Sequence, residues 1–322
     1  MKFKLKKIAG DASFRQFYRL TVGSKTSIIV VSKKDRFKNL VLYSFINKFL
    51  KKKGIFTPQL LNEFYSKGII EIEDFGDMSF YQYIKKTKNK YNAYKKIIKL
   101  LLKIQRIKPK KLINVYKNYK INLNIYNRNN LHKETDLFLK WYLVGVIGKA
   151  NTKKYASSLR FELEKIYKKI YFKNIYFVHR DFHASNIMLV GNKIGLIDTQ
   201  DAIIGNPLYD LVSLIDDVRI KTSLSLKKKI FNFYLKKAPK IYRSKKNKFI
   251  DDFNILSIQR NLKILGVFYR LYKRDKKEKY LKFIPYTWKL IEMRLESPIF
   301  KNLKILLNKT VNKKLRKKVL LK

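Results

Sequence analysis

His179-Arg180-Asp181, with Asn186 and Asp198 following it, is the set of residues in this 322-residue chain whose types and spacing suit chemistry best. The apolar run Ile175–Val178 reads as a strand that delivers His179-Arg180-Asp181 into a loop. Residues 186–190, the turn pair Gly191-Asn192 and residues 193–198 then read as a tight hairpin. Such a hairpin holds Asn186 at its start and Asp198 at its end, side by side, with Asp181 on the loop before. Oxygen-bearing groups converging in this way suit phosphoryl transfer, where the protein's work is positioning and charge neutralisation. Asn186 and Asp198 are expected to hold Mg²⁺, a hard cation that takes one or two protein oxygens plus phosphates. Asp181 is expected to orient an acceptor hydroxyl and take its proton. His179 belongs to the same catalytic loop, where hydrogen bonds that hold the loop are its expected part. A lone His-x-Asp would carry no weight; the Asn five residues on and the apolar-flanked Asp twelve after that make the pattern specific.

After Asp198 the chain has neither Asp-Phe-Gly nor Ala-Pro-Glu. It runs through Asp201 into a helix expected to begin near Asn206-Pro207. That leaves no room for the activation loop of a protein kinase, so a small acceptor is expected. Asp210, at the start of that helix, reads equally as a buttress for the catalytic loop or as an ordinary first-turn carboxylate.

The elements that must position these groups follow from patterning. Leu20–Val22 and Ser27–Ser32 are short β-branched runs around Gly23-Ser24-Lys25, a hairpin signal. Residues 37–53 carry apolar positions near helical period and stop at Gly54. Gly68–Phe75 reads as a strand ending in Glu73-Asp74. Lys-rich helices are expected over 79–108, 131–148 and 153–171, and helices again from Asn206 to the end. The simplest architecture is α+β and bilobal: a small β-rich N-lobe over residues 1–75 and a larger, mainly helical C-lobe over 76–322, a protein-kinase-like arrangement.

Gly10-Asp11-Ala12-Ser13-Phe14-Arg15 lies between two expected strands, where a Gly-containing turn lets backbone N–H groups approach phosphates. Glu73-Asp74-Phe75-Gly76 ends the strand entering the second lobe, where a kinase offers backbone groups to adenine. The apolar strand Ile28–Val31 has no lysine to meet the nucleotide phosphates, so that charge falls to Mg²⁺, to Lys33 just past the strand, or to Arg15.

Composition sets outer limits. Lys and Arg number 75 against 23 Asp and Glu, a formal net charge of +52, yet 46% of residues are hydrophobic, enough for cores and against dominant disorder. The lysines are spread end to end alongside abundant Asn, Ile, Phe and Tyr. This is the mark of AT-rich codons rather than of a nucleic-acid patch, and it leaves room only for weak binding to anionic surfaces. No cysteine is present, which excludes disulfides and thiolate chemistry. No apolar run approaches a membrane span and no leader pattern opens the sequence, so a cytoplasmic protein is expected.

The same residues resemble a known family. Gly10–Arg15 with Tyr18-Arg19-Leu20, and Glu73–Gly76, look like the aminoglycoside phosphotransferase superfamily. His179–Asn186, Leu196–Ala202 and Tyr209–Leu214 resemble its branch of bacterial anomeric kinases for N-acetylmuramate and N-acetylglucosamine, which serve cell-wall recycling. Residues 133–142, 259–268 and Arg274-Asp275 agree with that branch, so the likeness spans residues 9 to about 285. It implies transfer of the ATP γ-phosphate to the anomeric hydroxyl of an amino sugar, with Gly10, Asp11, Ser13, Phe14, Arg15, Lys33, Glu73 and Asp74 around the nucleotide. Thr199 departs from the branch, which usually has an aromatic there. Glu134 and Asp136 on the 131–148 helix, and Arg260 and Lys263 on a later one, read either as acceptor contacts facing the cleft or as ordinary charges on exposed helix faces, with Glu134 and Arg260 the acceptor candidates. A guanidinium at 260 would suit the lactyl carboxylate of N-acetylmuramate. Alternatives are an aminoglycoside, amino-alcohol or other small-molecule phosphotransferase of the same fold, and, from another class, a non-catalytic basic protein that binds nucleic acid. The segment 299–322 is expected to pack as the last helix rather than to lie on a membrane.

Overall fold

The computed structural model of the chain describes residues 3–8, 15–32, 36–109, 112–116 and 119–317. It divides into two compact units, one of residues up to Asn124 together with Tyr176–Ile204, the other of Ile125–Ile175 together with Gly205–Lys322. The boundary expected at residues 75/76 lies inside the first unit.

The first unit is built on an antiparallel sheet in the order β1-β2-β3-β5-β4, from β1 (Phe3–Ile8), β2 (Arg15–Val22), β3 (Lys25–Ser32), β4 (Leu60–Phe64) and β5 (Ile69–Glu73). The β2–β3 hairpin turns at Gly23-Ser24, with Gly23 at φ 59°, in the left-handed region where glycine carries no Cβ penalty. Helix α1 (Arg36–Lys52) packs on this sheet and ends before Gly54, as its apolar spacing and the glycine predict. Leu40, Val41 and Tyr43 of α1 meet Ile28 and Val30 of β3 and Ile70 and Ile72 of β5 in one buried core. At roughly 1.5–3 kcal/mol per buried aliphatic or aromatic side chain, this contact is what makes the strands and the helix one body.

Where residues 79–108 read as one helix, the chain forms α2 (Phe80–Lys86) and α3 (Lys90–Gln105), each started by its own side-chain cap. Ser79 and Gln82 make a capping box, and Asn89 accepts from the Asn92 N–H. A further hairpin, β6 (Leu112–Tyr116) and β7 (Tyr119–Asn122), is not signalled by the sequence. The catalytic segment supplies β8 (Tyr176–Val178) and the expected hairpin of β9 (Ile187–Val190) and β10 (Lys193–Leu196), turning at Gly191-Asn192.

The second unit is helical. Helix α4 (Arg128–Leu137) starts three residues earlier than expected because Asn127 and Asn130 cap each other's backbone. It passes through a π-turn at Phe138–Leu143 into α5 (Val144–Ile147). Helix α6 (Lys149–Tyr167) follows, then α7 (Leu208–Ile215), α8 (Leu224–Lys237), α9 (Lys240–Ser244) and the 30-residue α10 (Lys246–Asp275). Next come α11 (Ile284–Arg294), α12 (Lys301–Thr310) and α13 (Lys313–Lys317).

Helix α10 is the axis of this unit, packing on α4, the π-turn, α7 and α11. Gly266 permits a close approach: a Cβ there would lie 2.2 Å from the Leu137 carbonyl carbon, at the start of the π-turn. Beyond it, the Trp288 indole donates to the Tyr142 hydroxyl at 2.7 Å among Phe138 and Tyr269. A second anchor is Asp216, fully buried, whose carboxylate accepts from Lys227, Ser257 and Arg294. The C-terminal helices pack as expected: Leu303 and Leu307 are buried, and buried Arg316 lies over the Trp288 ring. Among the described residues, no helix is long and apolar enough to cross a membrane.

Candidate active site

The catalytic segment is closed by backbone bonds. From buried β8 the chain reaches His179, whose imidazole is fully buried and pairs through Nε2 with the Ile197 carbonyl at 3.1 Å. This ties the start of the loop to the end of the hairpin. Arg180 then takes φ 74°, an uncommon left-handed conformation for a non-glycine residue. Beyond it, His183 N donates to Asp181 O at 2.9 Å and Asn186 N to His183 O at 3.0 Å. The Asn186 side-chain amide donates to the Asp181 backbone carbonyl at 3.1 Å, while the Asn186 backbone carbonyl accepts from Ile197 N at 3.1 Å. The backbones of Asp181, Asn186 and the residue before Asp198 are thereby fixed to one another. Asp198 itself sits at φ 64°. Two left-handed non-glycine residues in one loop–hairpin frame mark stored strain of the kind that collects at working sites.

The hairpin is in turn fixed to the segment that follows β5 and to the one that precedes β4. Leu189 N donates to Met78 O and Leu196 N to Phe56 O, at 2.8 and 2.9 Å. Phe75 stacks on Phe56 at 4.5 Å between ring centroids, and a Cβ on Gly195 would fall 2.5 Å from the Phe75 ring. Gly195 therefore lets the aromatic residue after Asp74 lie flat on the hairpin.

Arg15 opens β2 and is buried. Its Nη2 donates to Asp198 Oδ1 at 2.5 Å and its Nη1 to Gln200 Oε1 at 2.8 Å. The guanidinium carbon lies 5.8 Å from the Phe17 ring centroid and 5.6 Å from that of Tyr43. Burial raises the affinity of the Asp198 carboxylate for a proton; Arg15 opposes that, while the charges of Asp181 and Asp201 reinforce it. Burial likewise pushes the Tyr43 hydroxyl, hydrogen-bonded to the Asp198 backbone, up to about 12, so it stays neutral.

The donor set fits Mg²⁺. Asn186 gives its amide N–H to the loop, which leaves the amide oxygen as a ligand, and Asp198 presents a carboxylate whose Oδ1 accepts from Arg15 and Gln200. Among the described residues, no cluster of three or more His, Cys, Asp or Glu is placed to hold a metal. One carboxylate and one amide oxygen are a set that suits a cation sharing its remaining sites with phosphates and water.

The other expected nucleotide residues divide in two. Gly10, Asp11, Ser13, Phe14 and Lys33 lie outside the described residues. Glu73 and Asp74 are engaged internally. Asp74 takes both Arg19 Nε and Nη2, at 2.6 and 3.1 Å, and accepts from Gly76 N; Glu73 accepts from Gln59 N. Arg19 also clamps Asp77. These carboxylates shape the turn.

In the second unit, Glu134 is buried and its carboxylate is held by its neighbours. Its Oε2 accepts from Tyr126 at 2.6 Å, Gln259 at 3.0 Å and Tyr209 at 3.1 Å, and its Oε1 from Lys263 at 2.9 Å. Asp136 pairs with Arg160. Asp210 is buried in the first turn of α7, so it is not an ordinary solvated helix-start carboxylate. Arg260 is 4% exposed, and its Nη1 has no hydrogen-bond partner. A buried guanidinium donor left open in this way favours an anionic group that completes it.

Residues 4–244 match a family model described as the phosphotransferase enzyme family. An N-acetylmuramate/N-acetylglucosamine kinase of Neisseria meningitidis is 26% identical over 294 residues, covering 88% of this chain and 83% of that protein. A protein of the same name from Caulobacter vibrioides is 26% identical over 265 residues, covering 80% and 70%. Among solved structures, an ethanolamine kinase of Plasmodium vivax superposes with TM-score 0.63 at 16% identity, over 93% of this chain and 84% of that one. A spectinomycin phosphotransferase with bound ADP and spectinomycin gives 0.59 at 15%, over 90% and 92%. The fold is thus α+β and kinase-like.

Proposed function

This chain belongs to the phosphotransferase enzyme family, and from that premise we propose that it transfers the γ-phosphate of ATP to the anomeric hydroxyl of an amino sugar of the N-acetylmuramate or N-acetylglucosamine type. The observation that carries the reading is the closed frame that ties Asp181 to Asn186 and Asn186 to the residue before Asp198. The kinship with curated amino-sugar kinases supports the choice of acceptor.

On this reading Asp181 orients the acceptor hydroxyl and takes its proton as the oxygen attacks the γ-phosphorus; the bond to the β,γ-bridging oxygen breaks and ADP leaves. A hemiacetal hydroxyl is more acidic than an ordinary alcohol, which asks less of Asp181 as base. Asn186 and Asp198 would hold Mg²⁺, which supplies neutralising charge for the phosphates when bound. The backbone of 74–76 receives the adenine. Arg260 is the group assigned to the lactyl carboxylate, and Glu134 positions Lys263 rather than touching sugar. ATP and a recycled cell-wall sugar meet in the cytoplasm, where this proposal puts the enzyme.

The test is an acceptor panel with Mg·ATP, read by product NMR: N-acetylmuramate, N-acetylglucosamine, ethanolamine, choline and aminoglycosides. A sugar 1-phosphate from an N-acetylhexosamine is expected. Phosphorylation of ethanolamine or an aminoglycoside alone would overturn the choice of acceptor. Arg260→Met should weaken N-acetylmuramate more than N-acetylglucosamine, and equal losses would remove the carboxylate assignment.

A further inference from the structure

The inward positions of β3 are Ile28, Val30 and Ser32, none of them basic. The charge met by Asp198 comes instead from the neighbouring strand. Arg15 on β2 pairs in register with Ser32 on β3, so the two side chains leave the sheet on the same face. The guanidinium reaches Asp198 and Gln200 from there, braced by the Phe17 and Tyr43 rings. A buried arginine resting on the one carboxylate expected to hold the metal has two consequences. While it stays, a divalent cation meets a carboxylate already neutralised and a fixed positive charge at short range. Once polyphosphate is present, the guanidinium gains a second anionic partner suited to its planar fork, and the added negative charge offsets the repulsion between the two cations.

We propose that Arg15 is both the stand-in for the metal on Asp198 in the nucleotide-free protein and the phosphate-binding cation in place of a strand lysine, so that metal and nucleotide bind as a coupled pair. The proposal rests on Asp198 as metal ligand. It makes Arg15 a positioning residue for the metal and a binding residue for the nucleotide, and it predicts opposite effects on the two. Linkage requires the coupling to be reciprocal: nucleotide must tighten metal binding by the factor by which metal tightens nucleotide binding.

The experiment titrates Mn²⁺, by its free-ion EPR signal, into the full-length protein with and without a non-hydrolysable ATP analogue. In the parent protein, the analogue should tighten Mn²⁺ by about tenfold or more, within the range of ordinary coupling between sites. Arg15→Ala should bind Mn²⁺ alone more tightly, bind the analogue more weakly, and lose most of the coupling. Arg15→Lys should keep much of it. Should Arg15→Ala fail to fold, judged by circular dichroism, Arg15→Met keeps the packing volume and carries the same expectation. Adding Ser32→Lys to Arg15→Ala returns a cation from the facing strand and should restore analogue binding in part. Unchanged or weaker Mn²⁺ binding in Arg15→Ala, or no coupling in the parent, overturns the proposal. Asp198→Asn is the control: if it leaves Mn²⁺ binding intact with the analogue present, the metal-ligand reading itself fails. If it abolishes binding while Arg15→Ala changes nothing, only the role of Arg15 is lost.

Discussion

The Thr199 hydroxyl donates to the Asn47 amide oxygen at 2.6 Å, joining the residue after Asp198 to the middle of helix α1. Both residues are buried, and the Asn47 carbonyl also accepts from Thr57. The hydroxyl thus gives the residue after Asp198 a directed bond to α1. Thr199→Val leaves a buried acceptor unsatisfied and is expected to cost about 1–3 kcal/mol of stability. It should also lower turnover through a displaced Asp198. Thr199→Ser should retain most of both. Thermal unfolding and steady-state rates check this, and a Thr199→Val protein as stable as the parent would mean the bond contributes little.

Asp181→Asn keeps the loop's shape, because the bonds that close the loop use the backbone carbonyl of residue 181. Loss of the base is expected to reduce turnover by about 10²–10⁴-fold, with nucleotide affinity largely unchanged. Near-normal turnover would show that another group takes the proton.

Glu134 holds Lys263 and three neutral donors with its two oxygens. Glu134→Gln removes the counter-charge of Lys263 and is expected to cost about 2–3 kcal/mol. Glu134→Leu combined with Lys263→Met should recover part of that loss, because the pair leaves together. A Glu134→Gln protein that melts like the parent while losing acceptor affinity would instead assign Glu134 to the ligand.

Asp216 gives a pH signature. Its burial opposes ionisation, but Lys227 and Arg294 outweigh this and hold the carboxyl well below the usual range. A lowered native pKa contributes stability that is fully present above the unfolded value of about 4 and lost as pH falls through the native one. Unfolding midpoints followed from pH 7 downward should fall below pH 4 in the parent protein. Asp216→Asn should be less stable at pH 7, by about 3–5 kcal/mol as for other broken buried pairs, with a flatter acid limb. Parallel acid limbs would remove Asp216 as the group responsible.

What could be read from the sequence was local. Gly23-Ser24 and Gly191-Asn192 between β-rich runs specified their hairpins, and apolar spacing with Gly54 specified α1. Asn186 and Asp198 came together because a hairpin's ends are adjacent by construction. The caps were harder to read: Asn89, Asn127 and Asn130 start or fix helices, but in an Asn-rich chain they do not stand out from their background. The β6–β7 hairpin and the π-turn lack any strong local cue; the π-turn coincides with the close approach of Gly266 from a distant helix. Glu134 looked like a charge on a helix face because its partners at 209, 259 and 263 are far along the chain. The same holds for Arg15, whose carboxylate partner lies 183 positions on.

The left-handed backbone at Asp198 bears on how this chain can change. Of the non-glycine residues, Asp and Asn tolerate that conformation best. A single G-to-A transition turns an Asp codon into an Asn codon. The backbone conformation therefore does not stand in the way of Asn at 198. The charge does: it neutralises the buried Arg15 guanidinium and, on the proposed chemistry, holds the metal, so Asn at 198 is a change that the loop's shape admits and its electrostatics do not.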